Sequence, residues 1–341
     1  MTTTGAPADQ GLAWLVTGGS GFIGTNLCRL LRRDRPGDRI RVLDDFSTGS
    51  ADRLGDAVPE AEVVDAPSWG TGPEILEGDV RDPVAAEAAA EGADIIVHLA
   101  ANTGVPASIA APRQDCETNV LGTLTMLEAA RARGVKSFIF ASSGAPAGAC
   151  TPPIDEQIVP RPISPYGASK LAGEGYCSAY HGSFGLATVA LRFSNVYGPF
   201  SGHKGSVVAA FIRNALAGRP LTIFGDGEQT RDFIHVEDLA RAVITAGTTR
   251  TPIGGEVFQV ATGAETRVAE LVELVRSALE REGVPEVEVE HDDPRPGDML
   301  RNYSDISKIR ARLGWAPVIG LREGIAATVR HAVAAADLPS S

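Results

Sequence analysis

A chain of 341 residues is too long for one small core, so one large α/β domain or two lobes is expected. Its 31 Lys and Arg against 43 Asp and Glu leave a formal charge of −12, which argues against wrapping a nucleic-acid backbone. Apolar residues at 43% and charged residues at 22% exclude wholesale disorder, and no apolar run reaches the roughly 20 residues of a membrane-spanning helix.

In chain order, Met1–Gln10 carries no Lys or Arg before an apolar stretch, so it is not read as a signal peptide. Apolar runs at Leu12–Thr17, Ile40–Leu43, Ile95–Leu99, Phe138–Ala141 and Thr188–Phe193 read as strands. They are continuous rather than alternating, as in a parallel sheet covered on both faces. Helical patterns at Ile23–Arg33, Val84–Glu91 and Asn119–Arg133, the last stopped by Gly134, fall between them. Strand and helix in alternation predict a Rossmann-type doubly wound α/β fold. Past Asn195 the regularity fails, and a long acidic helix is expected over Arg267–Glu282. The expected division is a dinucleotide-binding domain over 11–194 to which 233–262 returns, and a smaller lobe from 195–232 and 263–332. Residues 1–10 and 333–341 are expected to be flexible ends.

The four cysteines (Cys28, Cys116, Cys150, Cys177) form no Cys-x-x-Cys pair and the six histidines no metal-binding cluster. Reduced thiols in the cytoplasm and no metal site are therefore expected.

Thr17-Gly18-Gly19-Ser20-Gly21-Phe22-Ile23-Gly24 follows the first strand and opens the first helix. Glycines there let the chain turn tightly, let a pyrophosphate reach the helix N-terminus and let helix pack on strand. Alone such a loop is only a turn. Here Asp44, 20 positions beyond Gly24, ends the next strand, where a carboxylate accepts hydrogen bonds from an adenosine ribose and repels a 2′-phosphate. NAD is favoured over NADP. Asp79 sits where a third strand should end and could meet the adenine, or be a plain turn residue.

Ser164-Pro165 starts a helix that carries Tyr166 and Lys170 four residues apart, on one face. A tyrosine is a base at neutral pH only if something lowers its pKa from about 10. A neighbouring ammonium and an oxidised nicotinamide would both do so. Ser142 and Ser143 end the strand before, where doubly wound folds place their ligands.

On these motifs the sequence resembles the extended short-chain dehydrogenase/reductase family, specifically its nucleotide-sugar epimerases and dehydratases. The resemblance spans about Leu12 to Arg330. It continues through Leu43–Gly49, His98–Ala101, Thr118–Thr123, Asn195-Val196-Tyr197-Gly198-Pro199, Arg231–Val236 and Arg295-Pro296-Gly297-Asp298. It implies a catalytic triad of Ser143, Tyr166 and Lys170. NAD contacts are implied at Gly18, Gly21, Phe22, Ile23, Gly24, Asp44, Asp45, Ser47, Thr48, Gly49, Asp79, Val80, Leu99, Ala100, Ala101, Asn119 and Ser142, besides Tyr166 and Lys170. Ser143, Asn195, Lys204, Val207, Arg231, Arg295 and Asp298 are expected to hold the nucleotide sugar. Two Arg side chains suit a dianionic diphosphate on a chain of negative charge. Dehydratases of the family carry Asp-Glu after the Ser or Thr, whereas Gly144 and Ala145 stand here and can move no protons.

The expected function is a UDP-hexose 4-epimerase with tightly bound NAD, acting as a homodimer. UDP-glucuronate or UDP-N-acetylhexosamine 4-epimerase is the alternative. Further alternatives are a dehydratase or decarboxylase of this fold, and a non-catalytic dinucleotide sensor. Pro146-Ala147-Gly148 in place of Val-Tyr-Gly, and Asn302 in place of a pocket-closing Tyr, alter the sugar side. Lys204, beyond the Tyr197-Gly198-Pro199 turn, could pair with a uronate carboxylate, or point into water.

Overall fold

A computed structural model describes residues 11–70, 72–294 and 299–336. The first half builds β1 (Ala13–Thr17), α1 (Phe22–Asp34), β2 (Arg39–Asp44), α2 (Ala51–Ala57), β3 (Glu62–Val63), β4 (Glu74–Glu77), α3 (Pro83–Ala90) and β5 (Ile95–His98). Next come α4 (Val105–Ala110), α5 (Pro112–Cys116), α6 (Gly122–Ala132), β6 (Ser137–Ser143), α7 (Pro165–Phe184) and β7 (Thr188–Phe193). Among the described residues eight strands form one parallel sheet, ordered β12-β7-β6-β5-β1-β2-β4-β3, with β12 (Glu256–Val260) beside β7.

The continuous apolar runs have a direct cause. Successive residues of β1 point to opposite faces, and both faces are covered: Trp14 and Val16 join one hydrophobic cluster, Leu15 the other. Each such side chain contributes about 1.5–3 kcal/mol by leaving water. β4 differs. Its Glu74 is buried because Arg41 pairs with it and the Ser68 and Gly70 amides donate to it.

β8 (Asn195–Tyr197), α8 (Val207–Leu216), β9 (Leu221–Phe224), β10 (Thr230–Arg231), β11 (Phe233–His235) and α9 (Val236–Thr248) follow β7. After β12 come β13 (Thr266–Arg267), α10 (Val268–Arg281), β14 (Val289–Asp292), α11 (Ser307–Leu313) and α12 (Leu321–Ala336). α8, α10 and α12 enclose a third hydrophobic cluster around Phe211, Leu271 and Ile325. β8 pairs with β11, and α9 packs on α1, so the chain crosses back to the sheet after β11.

Two expectations change here. The helix read over Asn119–Arg133 is preceded by a π-helical stretch, Glu117–Leu121, that holds Asn119. Of the end expected to be flexible over 333–341, residues 333–336 are helical, as α12 continues to Ala336 past Ile325 and Val329, which are buried in the third cluster. No helix among the described residues is long and apolar enough to cross a membrane.

Candidate active site

The phosphate loop is shaped by contacts that tolerate no side chain. Gly18 has φ +68°, and a Cβ there would lie 2.8 Å from the Ala100 amide nitrogen. A Cβ on Gly24 would lie 2.4 Å from the Gly18 carbonyl oxygen. The N-cap of α1 is Gly21, which offers no side chain to its first-turn amides, so they face the cleft. Thr17 Oγ1 accepts the Ala100 amide and meets His98 Nδ1 at 2.8 Å. Burial pushes the His98 pKa down to about 3, so the ring is neutral and acts as a strut toward Thr123.

The loop opens on a cleft along the carboxyl ends of the strands. Its walls include Gly18, Gly21, Phe22, Ile23, Gly24, Asp44, Asp45, Ser47, Thr48, Asp79, Val80, Leu99, Ala100 and Ala101. Uncapped amides and a glycine floor fit a diphosphate. Asp44 is held at both oxygens: its Oδ2 accepts from the Ser20 amide at 2.8 Å and its Oδ1 from the Phe46 amide at 2.9 Å. Burial raises its pKa despite these two bonds. Asp45 holds Ser47, and Asp79 is ion-paired with Arg81. Gly49 lies outside the wall, where a Cβ would come 2.5 Å from the Ser20 carbonyl oxygen.

Tyr166 and Lys170 occupy the first turns of α7, which forms because the Ser164 hydroxyl accepts the Gly167 amide and Pro165 sits where no donor is needed. Gly185, in the left-handed conformation, ends it. Lys170 Nζ donates to the Ala141 carbonyl at 3.0 Å and lies 5.9 Å from the Tyr166 ring centre. Burial lowers the Lys170 pKa to about 8, against the pull of the Asp115 charge. The same burial raises Tyr166, the Ser143 hydroxyl lowers it, and Asp115 raises it again. Burial outweighs the Ser143 bond, so these side chains by themselves leave Tyr166 a phenol.

Ser143 Oγ accepts the Ala145 amide at 3.2 Å, leaving its proton for Tyr166. Ser143 is not among the residues that line the cleft; Ser142 is, yet its hydroxyl donates to Glu174, and Glu174 forms a buried two-pronged pair with Arg192. α7 and β6 are almost in van der Waals overlap: a Cβ on Gly173 would lie 2.2 Å from Phe140 Cζ.

Asn119 has partners of its own. It does not line the cleft: its side-chain oxygen accepts the Asn102 amide, and its amide nitrogen faces the Asn102 carbonyl, Asp115 and Ser169. It braces the helix turn beside Lys170. Lys204 lines the same cleft as the phosphate loop, with Nζ 3.2 Å from Thr103 Oγ1. Val207 opens α8, and Asn195 and Arg231 lie on β8 and β10. Arg231 donates to the Thr230 and Met299 carbonyls. None of these three lines the cleft. Arg295 and Asp298 lie outside the described residues.

Sequence reasoning missed Arg81, Asn102, Thr103, Gln114, Thr118 and Phe193 in the cleft wall. It also missed Asp115, which is buried and leaves Oδ2 without a hydrogen bond. Nearness to the strand ends and to the Asn119 motif was the available signal.

Residues 14–261 match the sequence model described as the NAD dependent epimerase/dehydratase family. The chain is 38% identical over 320 residues to a UDP-glucose 4-epimerase of Mycolicibacterium smegmatis, covering 92% of this chain and 96% of that one. Among solved structures it is similar to the Thermotoga maritima UDP-glucose 4-epimerase with UDP-glucose, with TM-score 0.83 and 32% identity over 96% of this chain and 100% of that one. It is also similar to the Bacillus cereus UDP-glucuronic acid 4-epimerase in complex with UDP-glucuronic acid and NAD. There the TM-score is 0.82 and the identity 28%, over 95% of this chain and 100% of the other. With a glycine cradle, Asp44, Tyr166 and Lys170 in one cleft and Ser143 hydrogen-bonded to Tyr166, and on these matches, the chain belongs to the NAD-dependent epimerase/dehydratase family.

Proposed function

We propose that the chain is a UDP-hexose 4-epimerase that keeps NAD bound through turnover. The observation that carries this reading is the pairing of Ser143, Tyr166 and Lys170 at the strand ends with Gly144 and Ala145 beside them. Tyr166 takes the proton from O4 of the sugar, and Ser143 holds that oxygen by a hydrogen bond. Lys170, charged at neutral pH, holds the nicotinamide ribose and favours the phenolate. Bound NAD would supply the hydride acceptor and donor for C4 and a positive charge that favours the Tyr166 phenolate. Gly144 and Ala145 supply no group to move a proton at C5 or C6, so the 4-keto sugar turns over and is reduced on its other face.

Incubation with UDP-glucose, UDP-N-acetylglucosamine and UDP-glucuronate, followed by proton NMR and absorbance at 340 nm, tests the reading. A C4 epimer of unchanged mass with no net absorbance change is expected. Loss of water or carbon dioxide would overturn it.

A homodimer belongs to the same reading. Ile109, Leu121, Tyr176 and Phe184 are exposed apolar residues on or beside α4, α6 and α7, and Gly175 on α7 faces open space. Such a surface suits helix-on-helix packing against a second copy. The cytoplasm is the compartment proposed, on the unpaired cysteines Cys28, Cys116, Cys150 and Cys177.

A further inference from the structure

The loop after β8 is built, not slack. Asn26, in the first turns of α1, donates to the Pro199 carbonyl at 2.9 Å, tying the loop to the helix that carries the phosphate cradle. Ser201 Oγ closes on the Gly198 carbonyl, and the Lys204 amide on the Ser201 carbonyl. Arg213 of α8 then holds the carbonyls of Gly202 and Lys204 together, at 2.7 and 3.0 Å. With its backbone fixed on both sides, Lys204 extends across 101 residues of sequence to Thr103 Oγ1.

Thr103 marks a place. The segment that contains it touches the phosphate loop three residues earlier, where Ala100 sits under Gly18. Three residues span at most about 10 Å, so the Lys204 ammonium stands within reach of the glycine cradle. Charge points the same way. Among the described residues the cleft wall carries Asp44, Asp45 and Asp79 against Arg81, Lys170 and Lys204. Arg81 is taken by Asp79, and Lys170 stands on Ala141 beside Tyr166. His203, also in the wall, is neutral, since burial and the nearby Arg53 and Lys204 push its pKa down to about 4.

We infer that Lys204 clamps the diphosphate of the dinucleotide, so that a loop from beyond β8 closes the cofactor site over the cradle. This rests on the NAD reading above, and it assigns Lys204 to the cofactor, not to a carboxylate on the sugar. A dianion needs a cation that no carboxylate already holds, and burial lowers the Lys204 pKa until such an anion arrives. The clamp is a binding element; it takes no part in moving the O4 proton.

The test uses the protein as purified. NAD per subunit is counted after denaturation, and NAD release into a cofactor trap is timed for wild type, Lys204→Gln and Lys204→Arg. Losing one charge-assisted pair should speed release about 10- to 100-fold in Lys204→Gln, with Lys204→Arg near wild type. Added salt should speed release from wild type and hardly change Lys204→Gln, and the wild-type arm stands even if the variant folds poorly. Equal release from wild type and Lys204→Gln, or wild-type release indifferent to salt, overturns the clamp. Unchanged release with a loss confined to UDP-glucuronate relative to UDP-glucose turnover overturns it as well and returns Lys204 to the sugar. Wild-type protein that neither retains nor rebinds NAD would sink the cofactor reading on which the clamp rests.

Discussion

Replacing Asp44 by Asn separates two duties of one carboxylate, reading the ribose and bracing two loops. The shape is kept and only charge and one acceptor are lost. Asn can still accept from one of the Ser20 and Phe46 amides, but it turns its own NH₂ toward the other. A buried donor left without an acceptor costs about 1–3 kcal/mol. With about 2.1 cal/mol/K of unfolding entropy per residue, a chain of this size should then lose roughly 1.5–4 °C in Tm. On the ligand side, a neutral amide replaces a charged acceptor of the ribose hydroxyls, so NAD affinity should fall about 10- to 100-fold. NADP affinity should hold or rise, because the repulsion of its 2′-phosphate is removed. Calorimetric titration of cofactor-stripped protein with each dinucleotide, beside scanning fluorimetry of the same samples, reads both duties at once. A lower Tm with an unchanged NAD-to-NADP ratio would confine Asp44 to bracing and refute the ribose assignment.

Tyr166→Phe should keep NAD bound and lower turnover about 10²- to 10⁴-fold, since the base goes while the ring stays; epimer formation followed by NMR checks it, and near-wild-type turnover removes Tyr166 from the mechanism. Lys170, lowered to about 8 by burial, is protonated below that pH and neutral above it, so NAD binding should weaken as pH rises through about 8. A dissociation constant that stays flat to pH 10 would contradict that value. Leu121→Arg, at an exposed apolar position, should leave the fold intact and shift the mass seen by light scattering from two chains toward one. A mass unchanged from wild type would place the subunit contact elsewhere.

The strands β1, β2, β5, β6 and β7 were legible because a parallel sheet covered on both faces needs unbroken apolar runs. β4 was not, since it opens and closes on Glu, and Glu74 is buried by partners remote in sequence. The phosphate loop and the Tyr166–Lys170 spacing could be read because local geometry alone demands them. The surroundings of Asn119 were hidden for the opposite reason. Its motif is visible, yet the π-helical turn directs its amide to Asn102, Asp115 and Ser169, and no spacing rule reports that. The partner of Lys204 was equally hidden, as Thr103 is 101 positions away.

The contact between Gly173 and Phe140 works as a calliper. One jaw is α7, which carries Tyr166; the other is β6, whose end carries Ser143. Phe140 cannot swing aside freely, since its ring stacks on His98 at 6.2 Å and lies 5.1 Å under the Lys170 ammonium. A single methyl at position 173 would therefore open the jaws rather than be absorbed, and the opening would reach the proton path between base and hydroxyl. The spacing of that path is set seven residues from the base, by the smallest side chain in the sequence. Variation that spares every group able to touch substrate can still detune the reaction through this one separation.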